Sequence, residues 1–314
     1  MVKIQIPVIF YHTGNQEYLK IALEQCKKYN QTVFLLGDTS NREMAINTGC
    51  FWYPADIYDE KTEWKRFEQA YVGMSTNDYR FELNCFRRFF VIDEFIKELE
   101  IDKFIYLDSD ILTYVNFSEL EELESIDCGM SVPKEQSKYG WVANCGISLW
   151  NRKSLSLFLQ YCIDVYENHI EILAEKWKYH TENQVSGGIC DMTLQYLWYK
   201  NDGSCEKINL VDRENGLAGV MDFNVNLSTN CYKNEYRMNR IIQIKKIQIE
   251  NNQAFLFDKA GKKVCVLAIH FLGPAKQYMK SYAHKNKLVW KDYVLCYLKK
   301  VKALIKKMLK GIVR

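Results

Sequence analysis

"KFIYLDSDILTY", residues 103–114, runs four apolar residues (104–107) straight into two aspartates one residue apart. A strand that is apolar for four residues in succession is suited to a central place in a sheet. Side chains at i and i+2 share a face of an extended chain, so Asp108 and Asp110 point at one ligand beyond the strand end, with Ser109 between them. A hard divalent cation on phosphate oxygens fits such a pair, because Mg²⁺ and Mn²⁺ take one or two carboxylates plus substrate phosphates. The same string also reads as a turn, with Asp110 or Asn116 opening a helix over 116–123.

Around this stretch, strands alternate with helices, the pattern of a parallel α/β sheet. "KIQIPVIFYH" (3–12) reads as a strand, 15–30 as a helix and "TVFLLGD" (32–38) as the next strand. Residues 54–80 are polar and aromatic and read as irregular. "FELNCFRRFFVIDEFIKEL" (81–99) is a strongly amphipathic helix feeding the strand that ends at Asp108. Further strands are expected at 128–133 and 142–151, and helices at 152–170 and 190–200. Apolar and polar residues alternate from 240 to 271 around "NN" and "KAGK" turns, which predicts an antiparallel meander.

Composition bounds the possibilities. The 314 residues, 48% apolar and 14% aromatic, fit one large domain, or one domain with an appendage. The 11 cysteines form no CxxC pair, and no signal peptide is read at the N-terminus, so free thiols in a reducing cytosol are expected. No apolar run approaches a membrane span. From 285 to 314 there are ten Lys or Arg and one Asp, a net +9, so the preceding 284 residues carry −6 out of a total of +3. An acidic body with a basic tail does not fit a nucleic-acid binder. In the tail, Trp290, Tyr293, Val294, Tyr297, Leu298, Val301, Leu304, Ile305, Met308, Leu309 and Ile312 recur at helical spacing, with lysines between them. That predicts a basic amphipathic helix over 286–314, lying on an anionic membrane surface or packed on the body.

A two-carboxylate site has room for a third ligand from another strand end. "VLAIHFLGPAK" (266–276) supplies His270 after an apolar run, then Gly273 and Lys276. Imidazole suits Mn²⁺, Gly273 lets backbone approach a ligand, and Lys276 brings positive charge to a departing diphosphate. A histidine at a strand end is also commonly structural.

The joint pattern of "YLDSD" and "HFLGPAK" resembles the GT-A fold glycosyltransferases. It is most similar to the retaining glycosyltransferase family 8, with the likeness spanning about 4–282. The resemblance implies a mixed, mostly parallel central sheet with helices on both faces. It also implies a glycosyltransferase domain over 1–285, with a donor-nucleotide half at about 1–125 and an acceptor-side half at about 126–285. It assigns Asp108, Asp110 and His270 to Mn²⁺ (or Mg²⁺) on a UDP-sugar and Lys276 to the diphosphate. Arg88, with Arg87 as second choice, would hold the donor. Tyr11, His12, Thr13 and Asn15 fall in the family's nucleobase and ribose loop, which here lacks the family's acidic residue. Asn144 and Gly146 would lie beside the donor sugar and acceptor, and Asp191 at the reaction centre, where Met192 replaces the family's Gln. Two routes stay open: retention without a protein base, or inversion with Asp191 as base. The acceptor expected is a saccharide, or a lipid-linked saccharide of bacterial surface polysaccharide synthesis, met by a cytoplasmic enzyme at the inner membrane face. The alternatives are a sugar nucleotidyltransferase and a non-catalytic carbohydrate-binding relative.

Overall fold

Alternate residues of the first strand enter two different cores. Val8 and Phe10 pack on one side of it, Ile9 and Tyr11 on the other. The computed structural model describes residues 5–312, except the side chains of residues 300 and 303–312. Strands β1 (Val8–His12), β2 (Val33–Gly37), β3 (Phe51–Pro54) and β4 (Lys103–Leu107) pair in parallel, and β5 (Ile111–Thr113) follows β4 across a turn. With β6 (Cys128–Ser131), β7 (Asn144–Asn151) and β8 (Lys207–Asn209) they give the order β3-β2-β1-β4-β7-β6-β8, in which β7 runs against the rest. A second sheet, β10-β11-β12-β5, is built from β10 (Ile247–Glu250), β11 (Gln253–Phe257) and β12 (Lys263–His270), and β9 (Val220–Asp222) lies parallel to β12.

The helices are α1 (Glu17–Tyr29), α2 (Arg42–Asn47), α3 (Thr62–Ala70), α4 (Tyr79–Glu98), α5 (Arg152–Asn168), α6 (Ala174–Glu182), α7 (Asp191–Asn201), α8 (Met279–Lys285) and α9 (Trp290–Ile312). Helix α1 and the second sheet bury one face of the large sheet, and α3, α4, α5 and α7 bury the other. On the second face Phe89, Trp150, Phe158 and Trp198 pack at 5.6–6.0 Å between ring centroids, one pair stacked and the others tilted or edge-on, distances at which aromatic pairs attract beyond their buried area. The chain is thus a mixed α/β protein with a mostly parallel sheet flanked by helices.

Two expectations are corrected. Residues 54–80 are not all irregular: α3 forms because Trp64 and Phe67, three apart, bury against Phe86 and Phe90. No helix spans 116–123. Two single 3₁₀ turns stand there instead, Phe117–Glu119 and Glu121–Leu123, the first capped by the Asn116 side chain accepting from Ser118 N–H.

In α9, Asp292 and Cys296 are buried and Tyr293 packs on the core, while Trp290, Tyr297 and Leu298 are 76%, 66% and 55% exposed. The expected stripe at Leu304, Ile305, Met308, Leu309 and Ile312, and Lys300, Lys306, Lys307 and Lys310, lie outside the described side chains. Among the described residues, no helix is long and apolar enough to cross a membrane.

Candidate metal and donor site

Two strand pairings bring the site together. Antiparallel pairing of β12 with β5 sets His270 opposite Ile111, and Phe271 N–H donates to the Asp110 carbonyl at 2.9 Å. Pairing of β4 with β7 sets Leu107 opposite Ile147, and Asp108 N–H donates to the Gly146 carbonyl at 2.7 Å. Residues 108–110 form a tight turn, with Ile111 N–H donating to the Asp108 carbonyl at 3.3 Å. The two carboxylates converge across that turn rather than along an extended face. One ligand atom each from Asp108, Asp110 and His270 lie within 4.8 Å of one another.

The electrostatics follow from that packing. His270 Nε2 lies 3.0 Å from Asp110 Oδ1, and Lys276 Nζ lies 3.1 Å from Oδ2. Burial pushes the Asp110 carboxyl up, but His270 and Lys276 outweigh it and hold it down to about 2. Burial likewise lowers His270 and Lys276, and Asp110 pulls both back above their ordinary values. Asp108 Oδ1 accepts from Tyr106 Oη at 2.6 Å and from Arg88 at 2.8 Å. Its Oδ2 faces Gly146, where an added Cβ would lie 2.6 Å from that oxygen and 2.9 Å from His270 Cε1. Two carboxylates, an imidazole and a space kept clear by a glycine fit a borderline divalent cation such as Mn²⁺. Gly146→Ala is therefore expected to keep the fold and lose most of the Mn²⁺ affinity, read by electron paramagnetic resonance titration. Wild-type affinity in that variant would remove Gly146 from the site.

A cleft of about 390 Å³ holds this trio with Lys276, and Tyr11, His12, Thr13, Arg88, Ser109, Asn144, Gly146 and Asp191 line it too. Three residues named from the sequence do not. Asn15 is exposed. Arg87 turns to Asp59 at 2.5 Å and bonds Tyr11 Oη, so it braces Tyr11 from behind. Gly273, at φ +57°, opens the 3₁₀ segment Gly273–Tyr278 that carries Lys276 back to Asp110. Arg88 lines the cleft with its guanidinium spanning Asp108 and Asp191, the latter at 2.5 Å. Asn144 Oδ1 accepts from Gly146 N–H at 3.0 Å, and its amide meets Met192 Sδ at 3.7 Å.

Sequence reasoning missed Tyr106, Tyr18 and Glu82. Tyr106 sits two residues before Asp108 in a strand, a spacing that signals a shared face. The Tyr18 ring lies 4.3 Å from Lys276 Nζ, a contact no local pattern marks. Glu82 lies six residues before Arg88 on α4, about 120° round the helix from it, and lines the cleft all the same.

No protein-family model matches the chain, and no curated protein matches it. Among solved structures, it is similar to mouse xyloside xylosyltransferase 1 in its apo form, at 15% identity and TM-score 0.45, over 63% of this chain and 83% of that one. It is also similar to the Streptococcus pneumoniae glycosyltransferase GlyE, at 18% identity and TM-score 0.30, over 62% and 44%. A Leptospira borgpetersenii cytidylyltransferase matches at 11% identity and TM-score 0.32, over 56% and 73%. Likenesses this distant do not carry an activity from one protein to another.

Proposed function

We propose that this chain is a metal-dependent glycosyltransferase of GT-A type, similar to family 8, that moves a hexose from a UDP-sugar to a saccharide or lipid-linked saccharide. The observation that supports it is the meeting of Asp108, Asp110, His270 and Lys276 in one cleft around the bare Cα of Gly146. Asp108, Asp110 and His270 would hold Mn²⁺ or Mg²⁺, which when bound neutralises a diphosphate leaving group. Lys276 stands ready as fixed positive charge beside it. Tyr11, His12 and Thr13 form the nucleoside end of the donor half, residues 1–125. Asn144, Gly146 and Asp191 form the sugar and acceptor side, within 126–285.

Arg88 keeps Asp108 and Asp191 apart at fixed distance, and so sets the width of the cleft between them. Asp191, with its side chain 4% exposed and paired to Arg88, is poorly placed to take a proton from an acceptor hydroxyl. That favours retention, in which the leaving phosphate accepts the proton. Incubation with Mn²⁺ and a panel of UDP-sugars should release UDP from one of them and stop in excess EDTA. No release from any nucleotide-sugar refutes the reading.

We further propose that residues 286–314 bind an anionic membrane surface on the cytoplasmic side. The exposed Trp290, Tyr297 and Leu298 beside exposed Lys299 and Lys302 support this, since interfacial helices combine such aromatic and basic groups. Truncation after Lys287 should abolish sedimentation with phosphatidylserine liposomes. Unchanged binding means that the helix serves only to pack on the body.

A further inference from the structure

Glu82 is a buried carboxylate without a cation. It is 3% exposed and has no ion pair among the described residues, whereas buried glutamates are almost always paired. Its Oε1 accepts from Ser75 Oγ at 2.9 Å and Asn77 Nδ2 at 2.7 Å. Both of these bonds fall on Oε1, none among the described residues falls on Oε2, and the residue lines the cleft with Asn77 and Phe81. Burial raises the carboxyl, Asn77 and Ser75 pull it down, and Asp191 pushes it up again.

The segment that holds Glu82 is fixed. Thr76 N–H donates to the Gly187 carbonyl at 3.0 Å, Gly187 N–H to Thr76 Oγ1 at 2.8 Å, and Ile189 N–H to the Met74 carbonyl at 2.7 Å. Gly188, at φ +153°, leaves no space for a side chain, since a Cβ would lie 2.3 Å from the Met74 carbonyl oxygen. Beside Glu82, Phe81 is 60% exposed. An acceptor-only oxygen held in place, with an aromatic ring next to it, matches the two faces of a sugar ring. The carboxylate takes a hydroxyl in a charge-assisted bond, and the ring covers the apolar C–H face.

We infer that Glu82 and Phe81 form a sugar subsite on the Asp191 side of the cleft, a specificity-determining pair that recognises a ring hydroxyl of the donor sugar or of the acceptor. The inference rests on the reading of this cleft as a sugar-transfer site. Because the subsite is preorganised, little ordering cost is left at binding. The test is calorimetry on the full chain with Mn²⁺, comparing wild type, Glu82→Gln and Phe81→Ala. The probes are UDP, UDP-glucose, UDP-galactose and UDP-N-acetylglucosamine, then free lactose and galactose.

Affinity for UDP should stay unchanged in both variants. At least a tenfold loss confined to a UDP-sugar assigns the subsite to the donor, and the same loss confined to the free sugars assigns it to the acceptor. Unchanged sugar affinity in both variants overturns the inference, as does a wild type that binds no sugar in any form. Should Glu82→Gln also lose UDP binding or its melting transition, Phe81→Ala, a surface change, decides alone. A wild type that binds a sugar through Glu82 or Phe81 but turns over no nucleotide-sugar sinks the proposed activity and leaves the subsite standing.

Discussion

Asp110→Asn is expected to abolish Mn²⁺ binding in the cleft, with at least about a 100-fold loss of affinity, while the fold survives. Outer partners of a metal site alone are worth about 10–100-fold, and Asp110 would lie inside that shell as a direct ligand. The carboxylate now meets the His270 imidazole at one oxygen and the Lys276 ammonium at the other. An amide presents one acceptor and no charge, so His270 and Lys276 would face an incoming cation without the anion that makes the site attractive. The fold has little reason to follow, because the link to β12 at this point is the Asp110 carbonyl accepting from Phe271 N–H, which asparagine keeps. Asp108→Asn should behave similarly, with Arg88 and Tyr106 left to share a neutral amide oxygen in place of a carboxylate. Spin-resonance titration of Mn²⁺ reads the affinity, and circular dichroism melting reads the fold. Wild-type affinity in Asp110→Asn would sink the metal role, and full UDP release in excess EDTA would sink it independently.

Part of this was legible before any coordinates. The strands ending at Asp108 and His270 announce themselves by unbroken apolar runs, and such runs are what a strand covered on both faces requires. Their meeting was not legible, because it depends on β5, three residues long, pairing with β12 some 160 positions away. Register across that distance is set by the packed core, which no local pattern encodes. Arg88 shows the same divide. Its helix could be read from apolar spacing, but that its guanidinium bridges two carboxylates follows only from where β7 and α7 lie. Helix α3 was missed because its two anchors, Trp64 and Phe67, sit in a charged segment, and burial against α4 outweighed the polar composition. In the tail, helical periodicity was plain, yet it did not say that Asp292 and Cys296 would face the body while Trp290 and Tyr297 face outward.

Lys245→Met is expected to cost about 3–5 kcal/mol of stability, the range found when one partner of a buried ion pair is removed. Lys245 and Asp222 are both fully buried, and the ammonium donates to Asp222 Oδ1, to Asn230 Oδ1 at 2.6 Å and to the Thr229 carbonyl at 3.1 Å. Burial pulls the lysine below its ordinary value, and Asp222 pulls it back toward the charged form. Without the ammonium, Asp222 keeps a charge in the core with no counterion among the described residues, and its Oδ2 already lacks a hydrogen-bond partner there. The damage lies close behind the site. Lys245 N–H donates to the Val225 carbonyl at 2.7 Å, and Val225 N–H donates to the His270 carbonyl at 3.1 Å. Removing both charges at once, as Lys245→Met with Asp222→Leu, should recover most of the loss, since a buried pair replaced by packed apolar groups is often neutral. Urea denaturation midpoints of the two variants decide it. A single variant within about 1 kcal/mol of wild type would mean that water reaches Asp222, because only a hydrated carboxylate tolerates the loss of its partner so cheaply.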